Sequence, residues 1–204
     1  DCMKGIHNGY TSVMIDASAE SWENNIAITK KVVEAAHTVG VSVEAELGTI
    51  GSNELSSENN GVNEILYTDP EDARKFVEET GVDTLAVAIG TRHGHYSHVE
   101  KPELRIDLLE KIHEAVDIPL VLHGGSDNKD SEIMKTYHHG VAKINLSTDM
   151  KTAFFKQLRK NLKEKPDAYE PDQLFPSART AAQKVVEGKM DLFGSTGKAS
   201  LYNI

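Results

Sequence analysis

Cysteine is nearly absent from this chain of 204 residues. The lone Cys2 cannot close an internal disulfide and stands outside any metal-like cysteine pairing, which excludes a disulfide scaffold and a cysteine-rich zinc module. Long apolar runs are missing as well. The longest covers about seven residues, against the roughly 20 needed to cross a bilayer, and the opening Asp1-Cys2-Met3-Lys4 has no signal-peptide layout. A soluble, cytoplasmic protein is expected. Basic charge is in deficit: 22 Lys and Arg face 32 Asp and Glu, for a formal charge of −10. A general nucleic-acid or anionic-membrane binder would need a broad basic face, so neither partner is expected. Any phosphorylated ligand must be held locally.

What is present is globular. Hydrophobic residues make up 39% and charged residues 26%, with no low-complexity tract, and the length fits one core; a single domain over 1–204 is expected. Five short apolar, β-branched runs read as buried strands: Thr11 to Asp16, Val41 to Leu47, Thr84 to Ile89, Ile118 to His123 and Val141 to Leu146. Between and after them lie amphipathic stretches, Ser21 to Val39, Pro70 to Thr80, Glu103 to Val116, Asp130 to His139 and Asp149 to Glu164. Asp69-Pro70 supplies an N-cap and first-turn proline, and Gly40, Gly81 and Gly140 each end a helix before a Val that opens the next strand. Strict alternation implies a parallel α/β sheet. The stretch Gly48 to Thr68 is longer than an ordinary βα connection of about 2 to 6 residues and has the look of a functional loop. A connection from Lys165 to Pro176 leads to a last helix around Ala178 to Glu187.

Five strands cannot close a barrel of eight. Either the sheet is open and doubly wound, or about three βα units precede this sequence. Asp1 to Asn8 reads as the tail of a helix capped by Gly9, which favours the second and gives a (β/α)8 TIM barrel with its first three βα units outside the chain.

Polar residues gather at the C-terminal ends of the apolar runs, the edge that hosts ligands in parallel βα folds. His93 and His123 stand there, as zinc ligands or as plain hydrogen-bonded histidines. Gly124-Gly125-Ser126 and Asn145 to Thr148 are strand-to-helix turns, where backbone N–H groups can meet a phosphate or simply make a turn. Strand alternation puts Glu44 and Glu46 on one face, and likewise Lys143 and Asn145, so a pair between Lys143 and a carboxylate is expected.

Taken in order, TSVMIDAS, VEAELGTIG, GVDTLAVAIGTRHGHY, PLVLHGGSD and GVAKINLSTDMKTAFF resemble the class II, zinc-dependent ketose-bisphosphate aldolases of the fructose- and tagatose-bisphosphate type across almost the whole chain. The resemblance implies that His93 and His123 are two of three histidines holding a catalytic Zn2+, the third belonging to an Asp-His motif upstream of residue 1. It implies that Gly94, Gly124, Gly125, Ser126, Asn145, Leu146, Ser147 and Thr148 cradle dihydroxyacetone phosphate. Asp16 and Glu46 match carboxylates that hold a second divalent or monovalent cation in some relatives, or they form a buried ion-pair network. Glu54 resembles the glutamate that moves the substrate's C–H proton, although Ser52 and Asn53 depart from the usual Gly-Gly pattern. Lys198 falls where relatives place an arginine for the distal phosphate. The implied reaction cleaves a phosphorylated ketose to dihydroxyacetone phosphate and an aldehyde, with zinc as Lewis acid and an enediolate as intermediate. Relatives are commonly homodimers or homotetramers. Two rival readings are a Schiff-base aldolase using Lys143 and a noncatalytic sugar-phosphate binder.

Overall fold

The computed structural model describes residues 1–52, 65–93 and 103–201, with backbone alone at 51, 52, 92 and 93. In chain order the elements are α1 (Cys2–His7), β1 (Ser12–Ile15), α2 (Trp22–His37), β2 (Ser42–Leu47), β3 (Gly51–Ser52), α3 (Pro70–Thr80), β4 (Thr84–Val87), β5 (Arg92–His93), α4 (Ile106–Ala115), β6 (Leu120–Leu122), α5 (Asp130–Tyr137), β7 (Val141–Ile144), α6 (Thr148–Glu164) and α7 (Pro171–Leu192), followed by a 3-10 turn, Lys198–Leu201.

Among the described residues, β1, β2, β4, β6 and β7 form one sheet in that order, and every neighbouring pair is parallel. The order settles the choice left by the sequence. A doubly wound sheet reverses its strand order at a switch point, whereas here each crossover moves one strand onward, as in a (β/α) barrel.

Burial follows from that architecture. Val43 and Ala45 of β2, Leu85 and Val87 of β4, and Leu120 and Leu122 of β6 are buried in the apolar core with the helices. The helices present matching stripes: Ala73, Phe76 and Thr80 on α3, and Ile26, Thr29, Val33 and Ala36 on α2. Trp22 meets Phe76 edge to face across the two helices, with ring centroids 6.1 Å apart. The alternate residues of β2, Glu44 and Glu46, therefore point the other way, toward the barrel interior.

Local punctuation works as expected. Asp69 accepts N–H groups of Glu71 and Asp72 at 2.9 and 3.2 Å, with Pro70 opening α3. Gly40, Gly81 and Gly140 all have left-handed φ, near 70 to 83°. Two expectations are corrected. Helix α4 starts at Ile106 and not Glu103, because the N–H of Arg105 donates to Ile89 O and keeps that approach tied to the end of β4. The last helix runs from Pro171 to Leu192, far longer than Ala178 to Glu187. Pro171 is a suitable first-turn residue, and Pro176 lies inside the helix with one missing donor. Two-residue strands β3 and β5, which carry no periodic signal, pair Gly51 with Arg92 and Ser52 with His93.

At the C-terminal edge, Thr68 adds a side-chain tie between β2 and β4 beside their last paired residues, Leu47 and Val87. Its Oγ1 donates to Leu47 O at 2.5 Å and accepts from Ala88 N at 2.8 Å. Gly48 lies directly against it: at φ +81°, an added Cβ would stand 2.5 Å from Leu66 O and 2.7 Å from Thr68 Oγ1. The left-handed backbone alone costs a non-glycine residue roughly 1–2 kcal/mol. Gly48→Ala is therefore expected to destabilise by at least about 2 kcal/mol in urea denaturation, since the clash is with backbone that cannot swing away.

Candidate functional site

His123 directly follows β6 and is buried, with 4% of its surface exposed. Both ring nitrogens are occupied by carboxylates from β2: Nδ1 lies 2.8 Å from Glu46 Oε2 and Nε2 lies 2.9 Å from Glu44 Oε1. Strand register explains the meeting. Glu44 and Glu46 are two apart on one face, and β4 between them and β6 offers small Ala86 opposite Glu46. From β7, Lys143 Nζ donates to Glu44 at 2.8 and 3.1 Å, so the expected pair between this lysine and a carboxylate exists. Lys143, Glu44, His123 and Glu46 thus alternate in sign.

The electrostatics follow from burial and contact. Burial works to lower the His123 pKa, but the hydrogen bonds and charges of Glu44 and Glu46 outweigh it and push it up to about 9. Burial likewise works to raise Glu44, yet His123 and Lys143 prevail and its pKa falls. Glu46 rises, chiefly through burial, with the charges of Asp16 and Glu44 adding to it and His123 opposing. In metal-free protein this raised pKa favours an imidazolium that donates from both nitrogens. Asp16 is exposed, its Oδ1 accepts the N–H and hydroxyl of Ser18 at 3.0 and 2.7 Å, and its charge is felt at Glu46.

The next residues form a turn that locks onto the end of β7. Gly125 N donates to Asn145 O at 3.0 Å, and Asn145 N donates to Leu122 O at 3.0 Å. An added Cβ on Gly125 would stand 2.6 Å from Ile144 Cγ2, so the close approach requires glycine. Ser126 Oγ accepts long hydrogen bonds from Ser147 N (3.3 Å) and Asp149 N (3.4 Å), at the start of α6. Asp127 is left-handed, φ 58°, and its N–H donates to Asp149 Oδ1 at 3.1 Å. Thr148 begins α6, Ser147 caps it without a side-chain hydrogen bond, and Leu146 is half-buried behind the turn. Gly124, Gly125, Ser126, Asn145, Leu146, Ser147 and Thr148 are therefore brought together beside His123.

Glu54 and Gly94 lie outside the described residues. His93 is placed by its backbone in β5. Lys198 is exposed in the 3-10 turn after α7. Among the described residues, no group of three or more His, Cys, Asp or Glu converges to hold a metal ion. The donor chemistry at His123 would fit zinc with Glu46 kept as the outer carboxylate on Nδ1 and with Nε2, which here faces Glu44, deprotonated and turned over to the ion.

Sequence reasoning passed over two participants. Glu44 was legible from its spacing to Glu46, but its contact with His123 depends on a parallel register carried across β4 to β6, two strands away. Asn128 gave no signal; its Nδ2 donates to Gly124 O at 2.8 Å and Ser126 O at 3.1 Å, bracing the turn from behind.

The chain was compared with known proteins. Residues 1–198 match the family model described as fructose-bisphosphate aldolase class-II. The fructose-bisphosphate aldolase of Geobacillus stearothermophilus is 43% identical over 199 residues, which are 98% of this chain and 68% of that protein. The fructose-bisphosphate aldolase of Staphylococcus epidermidis (strain RP62A) is 43% identical over 198 residues, 97% of this chain and 68% of that protein. The crystal structure of the YdjI aldolase from Escherichia coli K12 superposes with a TM-score of 0.79 at 37% identity, covering 97% of this chain and 67% of that one. The chain thus spans about two thirds of the length of these relatives, and its sheet has the architecture of their barrels.

A pH signature follows from the cluster in metal-free protein. The folded His123 pKa, about 9, lies above its ordinary 6.5. Its stabilising contribution is then fully present below about pH 6.5 and is lost as pH rises through 9. NMR titration should place the imidazole midpoint near 9, and Glu44→Gln should lower it by at least about one unit, because one of two charge-assisted partners is removed.

Proposed function

The chain belongs to the class II fructose-bisphosphate aldolase family, a family of lyases, and from that premise we propose that it serves in zinc-dependent cleavage of a ketose 1,6-bisphosphate to dihydroxyacetone phosphate and an aldehyde. The observation that carries the reading is His123: a buried imidazole, oriented by carboxylates, one residue before a glycine turn that meets a helix N-terminus.

His93 and His123 would hold the zinc ion, which supplies Lewis-acid pull on the ketose carbonyl. Glu46 fixes the ring of His123, and Glu44, anchored by Lys143, balances its charge. Backbone N–H groups of Gly94, Gly124 to Ser126 and Asn145 to Thr148 hold the phosphate and so orient the scissile bond. Glu54 would move the proton at the substrate carbon, and Lys198 would meet the distal phosphate. Asp16 and Glu46, which sense each other's charge, would offer a position for a second cation. The substrate is fructose- or tagatose-bisphosphate or a related phosphoketose. Among the described residues no helix is long and apolar enough to cross a membrane, and the resemblance to the family leads us to read the chain as a cytoplasmic single-domain enzyme acting as a homodimer or homotetramer.

A Schiff-base route through Lys143 is disfavoured by its ion pair with Glu44, since an ammonium nitrogen has no lone pair for attack.

Chelation of the natural polypeptide should abolish cleavage of fructose 1,6-bisphosphate, and added zinc should restore it. His123→Ala should lower kcat/KM by about a thousandfold or more, the scale of several kcal/mol of lost electrophilic stabilisation. Cleavage that survives complete metal removal, or borohydride trapping of substrate on Lys143, would overturn the reading.

A further inference from the structure

Two acids open the helices over which the proposed phosphate cradle lies. Asp130 is the first residue of α5, which follows the Gly124 turn, and Asp149 is the second residue of α6, which follows Asn145 to Ser147. A carboxylate in a first turn suits the helix itself, because the N-terminal end of the macrodipole is positive. The same positive end is what a phosphate needs, so an acid standing there competes with the ligand and repels it.

Asp149 is not dispensable. Its Oδ1 accepts the N–H of Asp127, which holds that residue's left-handed turn, and its own N–H donates to Ser126 Oγ. Its charge consequently stays beside the cradle. On the far side stands Lys189, from the last turn of α7, with Nζ 2.9 Å from Asp130 Oδ1 and 3.9 Å from Asp149 Oδ2. The lysine side chain is only 18% exposed, which sets it apart from solvent-screened surface pairs such as Lys160 and Glu164, exposed at 63% and 59%.

We infer that Lys189 is a positioning residue for phosphate: placed between Asp130 and Asp149, it neutralises the two acids at the mouths of α5 and α6 and keeps the turn between them receptive to a dianion. This deepens the cradle reading given above and rests on it. A lysine forty residues downstream of α6's first turn thereby tunes ground-state binding of the substrate without touching the reacting atoms.

A plain helix-anchoring role predicts something different, and a charge-reversal logic separates the two. In the natural polypeptide, Lys189→Met is expected to raise KM for fructose 1,6-bisphosphate and the inhibition constant of inorganic phosphate about tenfold, with kcat within about twofold. Lys189→Arg should return both to near the parent values. Adding Asp149→Asn to Lys189→Met should recover most of the lost affinity, since the amide oxygen still accepts the Asp127 N–H while the repelling charge is gone; an anchor would show no recovery. Asp149→Asn alone, which does not depend on Lys189→Met folding, should tighten phosphate a few-fold. Unchanged KM and phosphate inhibition in folded Lys189→Met, or unaltered or weaker phosphate binding in Asp149→Asn, would overturn the inference and leave the cradle intact. Phosphate that fails to compete with the ketose in the parent protein would sink the cradle and this inference together.

Discussion

One imidazolium between two carboxylates governs the interior of this sheet. Burying a single charge costs several kcal/mol, so a cationic ring deep among strands requires anions within hydrogen-bond reach. Glu44 and Glu46 satisfy it, and Glu44 in turn requires Lys143. Each partner comes from a different strand or from the next position on one face, which means the chain of charges closes only when β2, β6 and β7 lie in their observed register. Apolar residues of similar volume would serve stability as well or better. Four ionisable groups kept there accord with the catalytic role proposed above for this interior.

The helices supply the complementary half of the arrangement. Outward-facing residues such as Val43, Ala45, Leu85 and Leu120 meet helical stripes, while the inward face mixes the charged Glu44, Glu46 and Lys143 with Ala86 and Val121, and the turns at the C-terminal edge join the two. Thr68 and Gly125 belong to that join. One is a hydroxyl tying β2 to β4, the other a glycine that lets backbone touch backbone beside β7. Rigid seams of this kind allow side chains from distant strands to be held within a few tenths of an ångström.

Much of the fold was legible because its signals are local. Apolar runs of four to eight residues, the Asp69-Pro70 start and the glycines ending α3 and α5 each encode geometry within a few positions. The pair formed by β3 and β5 was not legible, since two residues cannot show a period. The true start of α7 was hidden by Pro176, whose usual meaning as a breaker was overridden by packing against α6. At the site, the glycine turns and the shared face of Glu44 and Glu46 could be read from spacing. The bonds from both carboxylates to one ring could not, because they join residues 77 and 79 positions apart. Lys189 gave no warning for the same reason, since its partners Asp130 and Asp149 lie 59 and 40 positions away, whereas Asn128 braces carbonyls only two and four residues back and is hidden because a turn asparagine has no distinctive pattern.

The hairpin of α6 and α7 carries a polar residue where an apolar one would pack. Asn161, buried on α6, donates to Leu174 O at 2.5 Å and to Ser177 Oγ at 2.8 Å on α7. An amide buried at a helix seam accepts one longitudinal alignment and penalises sliding, as a lone asparagine does in a coiled coil. A slip of one turn, about 5.4 Å, would carry every later residue of α7 past its mark. The axial offset of the two helices is therefore graduated at one end by an amide and read out at the other, some fifteen residues on, by where a single ammonium group comes to rest.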